Sequence, residues 1–367
     1  MKLMEGSVAM TEASIAAGCK FFAGYPMTPF TELLESFAAR LPQEGGVCIN
    51  AESELEAVGM AWGALATGAR AATGSTGQGL SLMQESFSEI TLAELPLVIF
   101  NMARGGQDYF QATRGGGHGD YRHIVLAPMD INEAVELTQL AFHLADKWRN
   151  PVLVYGDYLI AHTNAAVEVE AIEFGEAAPD RSWAMDGSKG GSGDSRIITP
   201  LGFGKAGKPS AGIEAHTRAV AEKHRRIEAS EVRVETGFLE DAETVLVAFG
   251  TPGKFIRYLV HELRDEGERV GYVRPITLWP FPYDAIAEAA EGAERVGVFE
   301  LCAGQMIDDV RLGVLGRAPV TGIGGISQDS SGFGVGPLLD AEIIRERILA
   351  LHRGEPLPDL PTSERIV

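Results

Sequence analysis

Cysteine is scarce in this chain, and its scarcity excludes one class of protein. Only Cys19, Cys48 and Cys302 occur, and no two form a C-x-x-C pair. Iron–sulfur clusters are held by grouped thiolates, so this chain is not expected to carry one. The three read as buried, reduced thiols of a cytosolic protein. Positive charge is also short: 31 Lys and Arg against 51 Asp and Glu leave a formal net charge of −20. Nucleic acid is excluded as a partner, because phosphate binding needs clustered cations. The charge favours solubility, or a basic partner. No apolar run reaches about 18 residues, so no membrane span is expected. The opening MKLMEGSVAM carries an acid and lacks a signal-peptide core. No P-loop ending and no metal-ligand spacing is present either.

What is there reads as α/β. The chain has 367 residues, is 45% hydrophobic and holds 44 glycines, which suits tight turns between strands and helices. In residues 1–160 strand-like segments at 19–25, 46–51, 70–75, 95–103 and 151–157 alternate with helical ones at 9–18, 28–41, 53–68, 80–94 and 130–149. The runs at 95–103 and 151–157 are apolar throughout, as strands covered on both faces require. This pattern predicts a doubly wound parallel sheet with right-handed crossovers. Residues 161–240 read as a linker, with a flexible glycine- and serine-rich loop at 187–195 and a charged helix at 215–236. A second α/β unit spans 241–367, with strands at 244–250, 270–280 and 295–301 and helices at 251–267, 281–293 and 341–354.

The most informative stretch runs from Asn50 to Leu80. It sets Glu52, Glu54 and Glu56 before a run of small residues that ends in the turn GSTGQG at 74–79. A carboxylate heading a close-packed helix beside a glycine turn is how one subunit lends an acid to a cofactor held by another. Any of the three acids also suits the helix dipole. Gly59 and Gly63 lie one turn apart, and glycine costs about 1 kcal/mol in a helix. Another backbone is therefore expected close by, equally well inside this subunit or between subunits. In GYPMTP at 24–29, Thr28 suits a helix cap and Pro29 the first helical position. The Thr28 hydroxyl also falls at a strand's carboxyl end, where such sheets bind ligands. Arg104 follows the buried strand at 95–103. It suits bidentate carboxylate binding there, or an ordinary surface loop.

Five motifs in order, GYPMTP at 24–29, ESE at 52–54, GSTGQGLSLM at 74–83, MARGG at 102–106 and VFELCAGQM at 298–306, resemble the α subunits of the 2-oxoacid:ferredoxin oxidoreductases. These are thiamine diphosphate enzymes related to pyruvate:ferredoxin oxidoreductase. The stretch DYFQATRGGGHGDYRHIVLAP at 108–128 is most similar to the branched-chain, 2-oxoisovalerate members.

The resemblance implies a pyrimidine-binding domain followed by a transketolase C-terminal-like domain. It implies that Glu54 hydrogen-bonds N1′ of the aminopyrimidine, and that Thr28 and Arg104 meet the substrate carboxylate. Tyr25, Pro26, Ser75, Gln78 and Gly79 become cofactor-pocket residues. It further implies a β subunit holding the diphosphate, Mg²⁺ and a [4Fe–4S] cluster, with γ or δ subunits, ferredoxin and coenzyme A as further partners. Only GDY at 156–158 echoes the β-type diphosphate and metal motif. The expected activity is cytoplasmic oxidative decarboxylation of a branched-chain 2-oxoacid. A 2-oxoglutarate enzyme, with Arg114 or Arg122 aimed at a distal carboxylate, stays open. So does a non-catalytic scaffolding subunit.

Overall fold

The computed structural model describes residues 1–175, 181–185, 196–197, 204–205, 212–329, 331–332, 334 and 336–361. In chain order the first part holds β1 (Lys2–Glu5), α1 (Gly6–Ala16), β2 (Phe21–Gly24), α2 (Thr31–Arg40), β3 (Val47–Asn50), α3 (Glu54–Ala66), β4 (Ala71–Ser75) and α4 (Gly77–Leu92). It continues through β5 (Val98–Ala103), α5 (Tyr109–Arg114), β6 (Ile124–Leu126), α6 (Ile131–Trp148), β7 (Val152–Asp157), α7 (Tyr158–His162) and β8 (Asn164–Val167). A two-residue pair, β9 (Arg196–Ile197) and β10 (Gly204–Lys205), precedes α8 (Ile213–Ser230). The remainder holds β11 (Val234–Gly237), β12 (Thr244–Val247), α9 (Gly250–Asp265), β13 (Val270–Pro275), β14 (Thr277–Trp279), α10 (Tyr283–Ala290), β15 (Arg295–Val298), α11 (Met306–Val314), β16 (Val320–Gly322) and α12 (Ala341–Arg353).

Two large sheets result. The first has seven strands in the order β14-β6-β7-β5-β4-β2-β3, the second five in the order β11-β13-β12-β15-β16. All neighbours in the first are parallel except β14 with β6, and all in the second except β11 with β13. Every residue of β4 and β5 is buried, which explains why those segments lack a polar alternation. Aromatic rings pack beneath the first sheet's edge: Phe22 stacks on Phe37 with centroids 3.8 Å apart.

The two sheets are stitched together. β14 leaves the second unit and pairs with β6, Thr277 opposite Leu126. Arg274 on β13 is only 3% exposed and reaches both sides. Its guanidinium donates to both oxygens of Glu133 on α6 (2.9 and 2.8 Å) and to Glu235 on β11 (2.7 Å).

Several expectations are corrected here. The helix predicted over 28–41 starts at Thr31, its N-cap is Phe30, and no side chain caps it. Thr28 is therefore not the cap, nor Pro29 the first helical residue. Phe30 N–H donates to Met27 O at 2.7 Å, closing a turn before the helix, and the Thr28–Pro29 peptide is cis. The strand predicted over 270–280 is two strands in two sheets. The glycine turn at 74–79 is not a free loop, since Ser75 ends β4 and Gly77 begins α4. β1, α5, β6, α7, β8, β9, β10, α11 and β16 were not anticipated, and the helix predicted over 215–236 ends at Ser230, with strand β11 at Val234–Gly237. The loop at 187–195 lies outside the described residues.

One consequence of burial is a pH dependence. Burial pushes the His123 imidazole, just before β6, down to about 4, with the Ala112 backbone opposing and Arg122 adding to the shift. His224 on α8 moves the same way, to about 3, chiefly through burial. The unfolded chain binds these protons from about pH 6.5 downwards while the folded chain refuses them. Stability contributed by His123 is complete above that pH and is lost as pH falls towards 4, by about 3 kcal/mol in total. Urea midpoints measured between pH 7 and 4 should fall less steeply for His123→Phe; an identical slope would remove His123 as a cause.

Candidate functional site

The site forms where the parallel strands of the first sheet end. In register, Gly24 lies opposite both Asn50 and Gly74, and Ser75 lies opposite Asn101. The loops that follow β2, β3, β4 and β5 thus open side by side at the carboxyl edge, where crossover sheets leave a crevice.

The three acids part company here. Ser53 is the N-cap of α3, and its hydroxyl both accepts from Glu56 N–H (3.4 Å) and donates to the Glu56 carboxylate (2.8 Å). Ser53 therefore caps α3 and ties down the Glu56 side chain, so Glu56 serves the helix end. Glu52 stays exposed. Glu54 alone turns inward: it is 3% exposed, and the Ser75 hydroxyl donates to its Oε1 at 3.2 Å. Gly79 on α4 makes that placement possible. A Cβ there would lie 2.1 Å from Ser75 Oγ and 2.3 Å from Glu54 Oε1. A buried acid in a cradle closed by a missing side chain suits a flat, nitrogenous ring, as the aminopyrimidine of thiamine diphosphate is.

Arg104 lies beside this acid's cradle. Its Nε donates to the Thr28 carbonyl (2.9 Å) and its Nη1 to Gln78 Oε1 (3.3 Å). Thr28, Gln78 and Arg104 therefore meet, although the contact to Thr28 runs through its backbone. Tyr25, Pro26, Thr28 and Gln78 are exposed, while Glu54, Ser75 and Gly79 are buried beneath them. The face is open, with its acid at the base.

One further residue escaped the sequence reading. Asp108, on the 3₁₀ turn Gly106–Asp108, accepts from Asn101 Nδ2 at 3.3 Å, and its carboxylate abuts Gly77 at the start of α4. Burial raises its pKa, while the Asn101 hydrogen bond and the Arg104 charge pull it back. Its place four residues after Arg104 was the available signal. Gly59 and Gly63 are both exposed, and among the described residues nothing outside their own helix backbone and chain neighbours lies within 4 Å of a Cβ added at either. The approaching backbone is not found within the described part of this chain. Among the described residues, no cluster of His, Cys, Asp and Glu is placed to hold a metal, and no helix is long and apolar enough to cross a membrane.

Known proteins are similar to this chain. A family model described as pyruvate flavodoxin/ferredoxin oxidoreductase, thiamine diphosphate-binding, matches residues 12–234. A second, described as pyruvate:ferredoxin oxidoreductase core domain II, matches residues 242–331. The ketoisovalerate oxidoreductase subunit VorB of Methanothermobacter thermautotrophicus is 39% identical over 325 residues, covering 85% of this chain and 89% of VorB. The 2-oxoglutarate synthase subunit KorA of Methanothermobacter marburgensis is 34% identical over 345 residues, covering 86% and 92%. The chain belongs to the 2-oxoacid:ferredoxin oxidoreductase family.

In fold it is similar to a solved 2-oxoglutarate:ferredoxin oxidoreductase from Magnetococcus marinus, with a TM-score of 0.77 at 24% identity. That match covers 96% of this chain but spans 65% of the other's length. A split-gene transketolase, described as an inactive β4 tetramer, matches with a TM-score of 0.56 at 15% identity.

Proposed function

We propose that this chain supplies the pyrimidine-binding half of a thiamine diphosphate site in an oxidoreductase that converts a branched-chain 2-oxoacid and coenzyme A to acyl-CoA and CO₂, passing electrons singly to ferredoxin. The observation that carries this reading is Glu54: a buried carboxylate, fixed by Ser75, at the base of a face that is otherwise open. When bound, thiamine diphosphate supplies the nucleophilic carbon and the electron sink for loss of CO₂. Glu54 holds a proton at N1′ of its aminopyrimidine, which sets that ring's basicity. Arg104, oriented by the Thr28 carbonyl and Gln78, receives the substrate carboxylate. Ser75 and Gly79 shape the wall behind Glu54, with Tyr25 and Pro26 at the rim.

Among the described residues no neighbouring element lies within 4 Å of a Cβ at Gly59 or Gly63, and Leu55 and Met60 are exposed near them, which supports a partner subunit seated on α3. That β subunit carries the diphosphate, Mg²⁺ and the [4Fe–4S] cluster, whose ligands this sequence lacks. A branched-chain substrate is favoured over 2-oxoglutarate because both candidate cations for a distal carboxylate are committed elsewhere. Arg114 pairs with the buried Asp309 at 3.1 Å. Arg122 donates to the Tyr121 carbonyl, and both arginines line a separate groove beside Trp279 and Phe281.

The test is a dye-reduction assay on the chain co-expressed with its β partner, with coenzyme A and 2-oxoisovalerate, 2-oxoglutarate or pyruvate as substrate. The highest kcat/KM is expected for 2-oxoisovalerate. A preference for 2-oxoglutarate would overturn the substrate assignment, and turnover of none of the three would overturn the enzymatic reading.

A further inference from the structure

The VFELCAGQM stretch at 298–306 has no part in the chemistry above, and its geometry gives it one. After β15 the chain turns through residues 299–305 into α11. Glu300 is 5% exposed and folds that turn around its own carboxylate. It accepts from the backbone N–H groups of Gln305 (3.0 Å), Met306 (2.9 Å) and Ile307 (3.2 Å), and from the Cys302 thiol (3.1 Å). A carboxylate with this many donors is a firm anchor, and it fills the start of α11 with the chain's own negative charge.

The anchored turn carries Gln305 across to the first sheet's loops. Gln305 Nε2 donates to the Gln107 carbonyl at 2.8 Å, and its Oε1 accepts from Phe110 N–H at 2.7 Å. Both partners are backbone groups on the segment that follows Arg104. Between Arg104 and Gln107 stand only Gly105 and Gly106, which leave the backbone the widest conformational freedom. The helix beyond is held separately, since Tyr109 donates to Asp309 at 2.7 Å. Loss of the Gln305 amide therefore loosens the loop and the first turn of α5, to which Phe110 belongs, while Tyr109 still anchors the helix.

We infer that Gln305 is a positioning residue: it clamps the Arg104–Phe110 loop from the second sheet and so sets where Arg104 presents its guanidinium. The effect on catalysis rests on the role proposed above for Arg104; the clamp itself does not.

The test uses the complex with its β partner, comparing wild type, Gln305→Ala and Gln305→Glu. Gln305→Ala removes both side-chain bonds but keeps the backbone N–H to Glu300. The KM for the 2-oxoacid should rise about tenfold, as loss of two modest hydrogen bonds allows, while kcat changes less. Gln305→Glu keeps the acceptor for Phe110 and loses the donor for Gln107, so its KM should fall between the two. Hydrogen exchange followed by mass spectrometry should show faster exchange across 105–110 in Gln305→Ala. A merely structural role would lower thermal stability with KM unchanged. Unchanged KM in an active complex, or unchanged exchange across 105–110, would overturn the inference. Should the wild-type complex turn over no 2-oxoacid, the functional reading fails by itself, and exchange alone decides the clamp.

Discussion

Glu54→Gln, assayed in the assembled complex, is expected to lower 2-oxoacid-dependent electron transfer about a thousandfold, within the range general acid–base groups contribute. Glutamine fills the same volume and still accepts from the Ser75 hydroxyl, so the chain should fold and assemble as before. What it loses is the proton that a carboxyl group exchanges with a ring nitrogen. Glu52→Gln and Glu56→Gln are the internal comparison: one acid is exposed, the other is tied down by Ser53, the cap of α3. Neither should cost more than a few-fold in rate, with Glu56→Gln losing up to about 1 kcal/mol of stability. Full activity in Glu54→Gln would leave the chain as a scaffold for its partner.

The largest stability effect belongs to Arg274. Its guanidinium is buried between Glu133 on α6 and Glu235 on β11, and so ties the second sheet to a helix of the first part. Arg274→Met keeps much of the volume but leaves Glu133 without its cation, while Glu235 keeps its pair with Arg257 at 2.9 Å. Breaking a buried ion pair in this way costs about 3–5 kcal/mol. Some relief remains, because Met129 N–H still donates to Glu133 and Tyr272 to Glu235. Urea unfolding should show the lower midpoint. A loss below about 1 kcal/mol would mean that solvent reaches the pair.

Sequence patterning was enough for five of the first sheet's seven strands, most clearly where they are buried on both faces, as β4, β5 and nearly all of β7 are. Runs such as LVIFNM at 97–102 and VLVYG at 152–156 have no other plausible use. It failed where tertiary contacts decide. The three residues of β6 have no periodicity to read, and β14 was absorbed into a longer apolar run. Nothing local says that Pro275 ends one ladder and Thr277 begins another. The local chemistry of Thr-Pro pointed to a helix cap at Thr28, whereas the structure uses that residue's carbonyl to hold Arg104. At the site, the spacing of Glu52, Glu54 and Glu56 left three candidates. Burial separates them, and burial is set by Ser75 and Gly79, more than twenty residues away. Asp108 and Gln305 were illegible for the same reason: their partners come from other elements.

The return of β14 to the first sheet bears on how such a protein can be cut and recombined. The strand that covers the outer edge of β6 arrives from residues 277–279, after the chain has already built β12 and β13 of the other sheet. A graft of the first 240 residues onto a foreign scaffold would leave a row of bare amides and carbonyls along β6, ready to pair with a neighbouring molecule. The reverse graft would carry an orphan strand with no ladder to join. Exchange of modules between relatives of this chain is therefore constrained at that boundary: the two parts must be inherited together, or β14 must travel with the sheet it completes.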